Sequence, residues 1–169
     1  MLQQLVVRNY ALIKELTMDP NPGFNTITGE TGAGKSIMLG AMGLLLGKRA
    51  DTKVLLDENQ KCVVEGTFEI GNYQLANFFE DNEIDYENPC IIRREIIPSG
   101  KSRAFVNDVP ARLEVVRDLG NYLIDIHSQH DTLQLANSNF QLSLVDTYGM
   151  ISGNLAGYQQ TFWEYQKAA

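Results

Sequence analysis

The stretch GETGAGKSI, Gly29 to Ile37, constrains this chain more than any other, because it meets the spacing G-x-x-x-x-G-K-[ST] between two segments of opposite character. Ahead of it, Phe24-Asn25-Thr26-Ile27-Thr28 is rich in β-branched residues and predicts a strand. Behind it, IMLGAMGLLLG is apolar on nearly all sides and predicts a buried helix ending near Gly47. Glycines in such a loop let consecutive backbone N–H groups form a concave nest, and the N-terminus of the following helix adds partial positive charge. That geometry receives an anion. Gly29, Glu30, Thr31, Gly32, Ala33, Gly34, Lys35, Ser36 and Ile37 are therefore candidate phosphate-binding residues, with Lys35 reaching the β and γ oxygens and Ser36 ligating Mg²⁺. A second Gly-Lys-Ser, at Gly100-Lys101-Ser102, has Glu95 where the first glycine belongs and a strand after it, so it reads as a hairpin turn.

A chain of 169 residues, 44% hydrophobic, suits one domain with a buried core and a short appended element. No run nears the ~20 apolar residues of a membrane span, and the start MLQQLVVRNY lacks the pattern of a secretory signal. The expectation is a soluble intracellular protein without a membrane partner. Cys62 and Cys90 lie far apart and in no metal-ligand spacing, which predicts two buried, reduced thiols. The formal charge of -7 opposes broad neutralisation of nucleic-acid phosphates, so any such contact must be local or lie outside the chain. Two basic clusters, Lys48, Arg49 and Lys53, then Arg93, Arg94, Lys101 and Arg103, read as solvated loop and strand charges.

Leu5-Val6-Val7 and the run Leu12 to Leu16 predict two strands joined near Arg8-Asn9-Tyr10, and Pro20-Asn21-Pro22-Gly23 is a stop. Further strands are predicted at 62–70, 90–97, 103–106 and 122–126, with helices at 73–81 and 111–119. This order gives a mixed α/β layout with an antiparallel insertion. Leu155, Tyr158, Phe162 and Tyr165 recur in an a/d rhythm, that of a helix packed along a partner or folded back on the domain.

Hydrolysis needs more than a cradle: a metal-holding carboxylate, a group that orients water and charge on the γ-phosphate. Gln129, in IHSQHD just past 122–126, is placed to touch both metal and water. His127 and His130 flank it with Asp131 adjacent, but the remaining ligands of a closed zinc site would have to come from elsewhere, the two cysteines are distant, and hydrogen-bonded loop structure is the favoured reading. Leu142-Ser143-Leu144-Val145-Asp146 imitates a strand ending in a catalytic aspartate, yet Thr147 follows and Ser138-Asn139 ahead reads as a helix cap, so it is rejected. No LSGG signature occurs. The sequence holds half of an ATPase site.

LVVRNYALIKEL, GETGAGKSI, LLLGKRAD, SGKSRAFVNDVPA, IDIHSQHD and LVDTYG together resemble the N-terminal head segment of the RecN family of bacterial DNA repair proteins, in the SMC-like branch of ABC-type ATPases. The resemblance covers nearly the whole chain. It implies an α/β P-loop NTPase fold, the N-terminal lobe of an ABC/SMC-type ATPase head over 1–150, with a parallel core, an antiparallel β subdomain and the start of a coiled-coil helix over 151–169. It implies ATP and Mg²⁺ as cofactors, Lys35 and Gln129 as catalytic residues, Ser36 and Gln129 on the metal, and Arg8 and Asn9 near the adenine or ribose. Arg49 is a weaker candidate near the phosphates. Ser128 stands where glycine is expected in many relatives, which bears on the loop and not on Gln129.

By the same resemblance the signature and second Walker motif belong to a C-terminal lobe, and two heads sandwich ATP in a homodimer. The chain is then expected to be an N-terminal fragment, nearly inactive alone, of a protein that meets DNA at the bacterial nucleoid in double-strand-break repair and recombination. Two other readings remain: a stand-alone small P-loop kinase or GTPase, for which no N-K-x-D motif is present, and a binding module whose loop is structural.

Overall fold

The computed structural model describes residues 1–28, 34–49, 52–126, 138–149, 157, 158, 161, 162 and 164–167. The chain divides into two compact units, Met1–Asp125 and Ile126–Ala169.

In the first unit, β1 (Leu2–Tyr10), β2 (Ile13–Met18), β3 (Cys62–Phe68), β4 (Cys90–Ile96), β5 (Ser102–Val106) and β6 (Val109–Pro110) form one sheet in the order β2-β1-β3-β4-β5-β6. Every pairing is antiparallel. Period-two alternation sorts the sheet into a core face and a polar face. Leu5 and Val7 of β1, Val64 and Phe68 of β3, Ile92 and Ile96 of β4 and Val106 of β5 are buried on the core face. The polar face carries paired charges: Arg93 with Glu65, Glu95 and Asp108, Lys61 with Glu95, and Arg8 with Glu15.

Two helices, α1 (Lys35–Leu45) and α3 (Leu113–Leu123), contribute their buried faces to the same core, with the shorter α2 (Ala76–Asp81) adding Phe79. The buried residues of α3, Val116, Leu119, Gly120 and Leu123, follow the helical three-four spacing. A close approach sets α1 on the sheet: a Cβ at Gly66 of β3 would lie 2.6 Å from a Leu45 methyl. α1 stops as its sequence predicts. Gly47 takes φ +86°, its N–H donates to the Leu44 carbonyl (3.2 Å), and the Lys48 N–H donates to Gly43 (2.9 Å), the Schellman pattern.

Several expectations need correction. The first hairpin turns at Ala11-Leu12, since Arg8, Asn9 and Tyr10 belong to β1. Residues 24–28 are not a strand; they pair with no described ladder, and Phe24 is 93% and Ile27 52% exposed. Nor is 122–126, because Tyr122 and Leu123 complete the last turn of α3, where Leu123 continues its buried stripe. The parallel pairing implied by the resemblance is thus absent among the described residues. The turn at Gly100 does close the β4–β5 hairpin, with φ +84° and the Ile97 N–H donating to the Lys101 carbonyl (3.0 Å).

In the second unit, α4 (Ser138–Tyr148) contains the segment 142–146, so the imitation of a catalytic strand is helical. Further along, the described residues between Gly157 and Lys167 are helical, and the Tyr158 and Phe162 rings stack at 6.1 Å. Among the described residues, no helix is long and apolar enough to cross a membrane.

Candidate phosphate-binding site

Gly34 is the N-cap of α1, and Lys35, Ser36 and Ile37 form its first turn, tied back by the Met38 N–H donating to the Gly34 carbonyl (3.0 Å). A glycine cap offers no side-chain acceptor, and no acidic residue stands in this turn. The first turn of α1 thus carries no side-chain capping bond and no acid of its own, and a helix N-terminus bears partial positive charge. Gly34, Lys35 and Ser36 are exposed, Ile37 is half-buried, and a Cβ built at Gly34 would meet nothing within 4 Å among the described residues. An open helix start bearing an ammonium and a hydroxyl has the donor chemistry of a phosphate and Mg²⁺ site. Gly29, Glu30, Thr31, Gly32, Ala33 and Gln129 lie outside the described residues, as do Ser128 and both histidines.

Arg8 and Asn9 sit at the end of β1, which reaches α1 through the next residue: the Tyr10 hydroxyl is 2.7 Å from where a Gly40 Cβ would be. Their side chains have different fates. Arg8 is exposed and pairs with Glu15 at 3.0 Å. Asn9, at φ 53° and buried, gives both halves of its carboxamide to the loop at 57–60: Oδ1 accepts from the Asp57 N–H (2.7 Å), and Nδ2 donates to the carbonyls of Asp57 (3.0 Å) and Gln60 (2.8 Å). Asn9 thereby shapes the border of the groove that Arg8 also lines.

Arg49 follows the cap of α1 and lines a different cleft, together with Arg94, Ser102 and Arg103. Arg94 departs from its expected place on a solvated surface: it is buried, and burial pulls its guanidinium below the usual arginine range. The signal was present in the sequence as one charge at an inward position of the alternation Cys90, Ile92, Arg94, Ile96. Both thiols are buried as expected, and burial pushes Cys62 up to about 11 and Cys90 up to about 12, the latter helped by Glu87. Among the described residues, no group of three or more His, Cys, Asp or Glu is placed to hold a metal.

Set beside known proteins, residues 4–146 match the family described as AAA domain. The DNA repair protein RecN of Vibrio cholerae is 38% identical over 170 residues, spanning 100% of this chain and 31% of that protein. RecN of Bacillus subtilis is 34% identical over 171 residues, spanning 99% of this chain and 30% of its own length. The Smc head domain with a coiled coil and joint from Pyrococcus yayanosii superposes with a TM-score of 0.69 at 18% identity, over 99% of this chain and 35% of that one. The chain therefore spans about a third of the length of these relatives.

Proposed function

Since the chain belongs to the AAA domain family over residues 4–146, which implies nucleotide binding, we propose that it is the ATP-binding N-terminal head lobe of a RecN-like DNA repair protein. The observation that carries this reading is likeness to RecN along the entire chain, joined to a helix that opens on Gly34-Lys35-Ser36 with no side-chain capping bond and no acid in its first turn. Lys35 would hold the β and γ phosphates, Ser36 would ligate Mg²⁺, and the loop from Gly29 to Ala33 would supply backbone donors. Magnesium would supply charge neutralisation at the phosphate oxygens. Gln129 is the proposed water- and metal-orienting group. Arg8 would offer its guanidinium to the nucleoside, while Asn9 acts through the loop that it holds.

Head pairing around ATP, contact with DNA and with a C-terminal lobe, and residence at the bacterial nucleoid belong to the proposed whole protein. So does its turnover of ATP. The 151–169 segment would lead into the coiled coil.

Calorimetric titration with Mg·ATP and Mg·GTP tests the reading. The expected result is a preference for ATP and, in Lys35→Ala, a loss of about 2 kcal/mol or more, roughly 30-fold in affinity. A guanine preference would favour the stand-alone GTPase, and binding unchanged in Lys35→Ala would remove the phosphate loop from the account.

A further inference from the structure

Position 94 breaks the rule obeyed by the rest of its strand. The inward residues of β4 are Cys90, Ile92, Arg94 and Ile96, so a guanidinium stands in an apolar row, opposite Ala104 and beside Ser102. Only 2% of it is exposed. Its Nη2 donates to the Ser102 hydroxyl at 2.6 Å, and among the described residues its Nε has no hydrogen-bond partner and no carboxylate pairs with it. Arg93, one residue away on the polar face, is compensated by three acids. A buried charge without an opposite partner is strongly destabilising, and arginine does not escape by losing its proton.

Arg94 lines a cleft of about 620 Å³ shared with Arg49, Ser102, Arg103, Ala111 and Leu113. Arg49 enters from the cap of α1 and Arg103 from β5, and neither forms an ion pair with a described carboxylate. Ala111 and Leu113 flank the start of α3, whose N-cap Arg112 makes no side-chain capping bond. That helix end adds partial positive charge. The one acid of its first turn, Glu114, is not among the residues that line the cleft.

We propose that this cleft is a second phosphate site, separate from the loop ahead of α1, in which Arg94 anchors a phosphate group and Arg49 and Arg103 supply charge at the rim. Guanidinium and hydroxyl donors here come from three separate segments, more than the two oxygens of a lone carboxylate require. The volume exceeds an isolated ion, so the phosphate belongs to a larger body, either a free nucleotide or a nucleic-acid strand. The inference does not rest on the ATP reading.

Inorganic phosphate is the probe, titrated against chloride and acetate at constant ionic strength into the Lys35→Ala chain, which disables the first site. Melting temperature and the ¹⁵N shift of the Arg94 Nε–H are the readouts. Phosphate is expected to raise the melting temperature where chloride and acetate do not, and to move the Nε–H signal. Arg49→Ala, at an exposed position, should weaken phosphate about tenfold. Arg94→Met should abolish the response while melting higher than its parent in phosphate-free buffer; if that variant does not fold, Arg49→Ala and the Nε–H signal decide.

Competition assigns the source. Displacement of phosphate by a short single-stranded oligonucleotide and not by AMP identifies a strand, and displacement by AMP identifies a free nucleotide. Equal responses to phosphate and chloride, saturation by acetate as readily as by phosphate, or a phosphate response unchanged in Arg49→Ala with a stationary Nε–H signal would each overturn the proposal.

Discussion

Asn9 shows how much one side chain can organise. Its left-handed backbone is one that asparagine tolerates better than most residues, and its three hydrogen bonds fix the loop at 57–60 against β1. Asn9→Ala would remove three part-buried hydrogen bonds to that loop and leave its backbone groups without the carboxamide. The expected cost is about 1–2 kcal/mol, seen as a lower urea midpoint with an unchanged m-value. The thiols give a pH dependence of definite sign. In the folded chain Cys62 and Cys90 titrate at about 11 and about 12, against an ordinary value of 9.0. Their contribution is complete below pH 9; as pH rises further, the unfolded chain loses its protons first, and stability drains away until the folded thiols ionise. Melting temperature should therefore decline between pH 9 and about 12, and Cys62→Ala should flatten that decline.

At the scale of elements, Gly66 is a place where α1 and β3 approach closely. A methyl group there would drive into Leu45, so Gly66→Ala should cost about 1–3 kcal/mol by overpacking. Thermal unfolding checks this, and a neutral result would mean that α1 shifts freely on the sheet. The same elements show what could be read from residues alone. Helix α1, its glycine stop and the β4–β5 hairpin were legible because loop, cap and turn chemistry are local. The segments 24–28 and 122–126 misled, since β-branched or apolar content says nothing about whether a neighbouring strand exists to complete a ladder. Tyr122 and Leu123 went to the helix because the buried stripe of α3 still had a turn to run. In the candidate site the Gly34-Lys35-Ser36 start was readable. The burial of Arg94 is written in the alternation Cys90, Ile92, Arg94, Ile96, but charge in a strand is ordinarily assigned to solvent.

Over the whole molecule, the charge of -7 makes any attraction to nucleic acid a property of one cleft and not of the general field. If a strand supplies the phosphate, three guanidiniums set a shallow dependence of log affinity on log salt, with a slope of about -2 to -3. A slope several times steeper would point to contacts elsewhere. Hydrolysis is a property at this scale as well. The sequence contains no LSGG signature, and the segment that imitates a catalytic strand lies in α4. Steady-state ATP turnover by the 169-residue chain should accordingly stay near background in a phosphate-release assay. Brisk turnover abolished by Lys35→Ala would show that the site is complete within this chain.

Helix α1 begins at Lys35 and, one Schellman turn after its end, the chain delivers Arg49. Eleven residues make a rod about 16 Å long, and a rod does not stretch. Whatever travel along its axis a ligand imposes on the leading amides must reappear at the trailing arginine, which makes the helix a pushrod between two places where anions would sit.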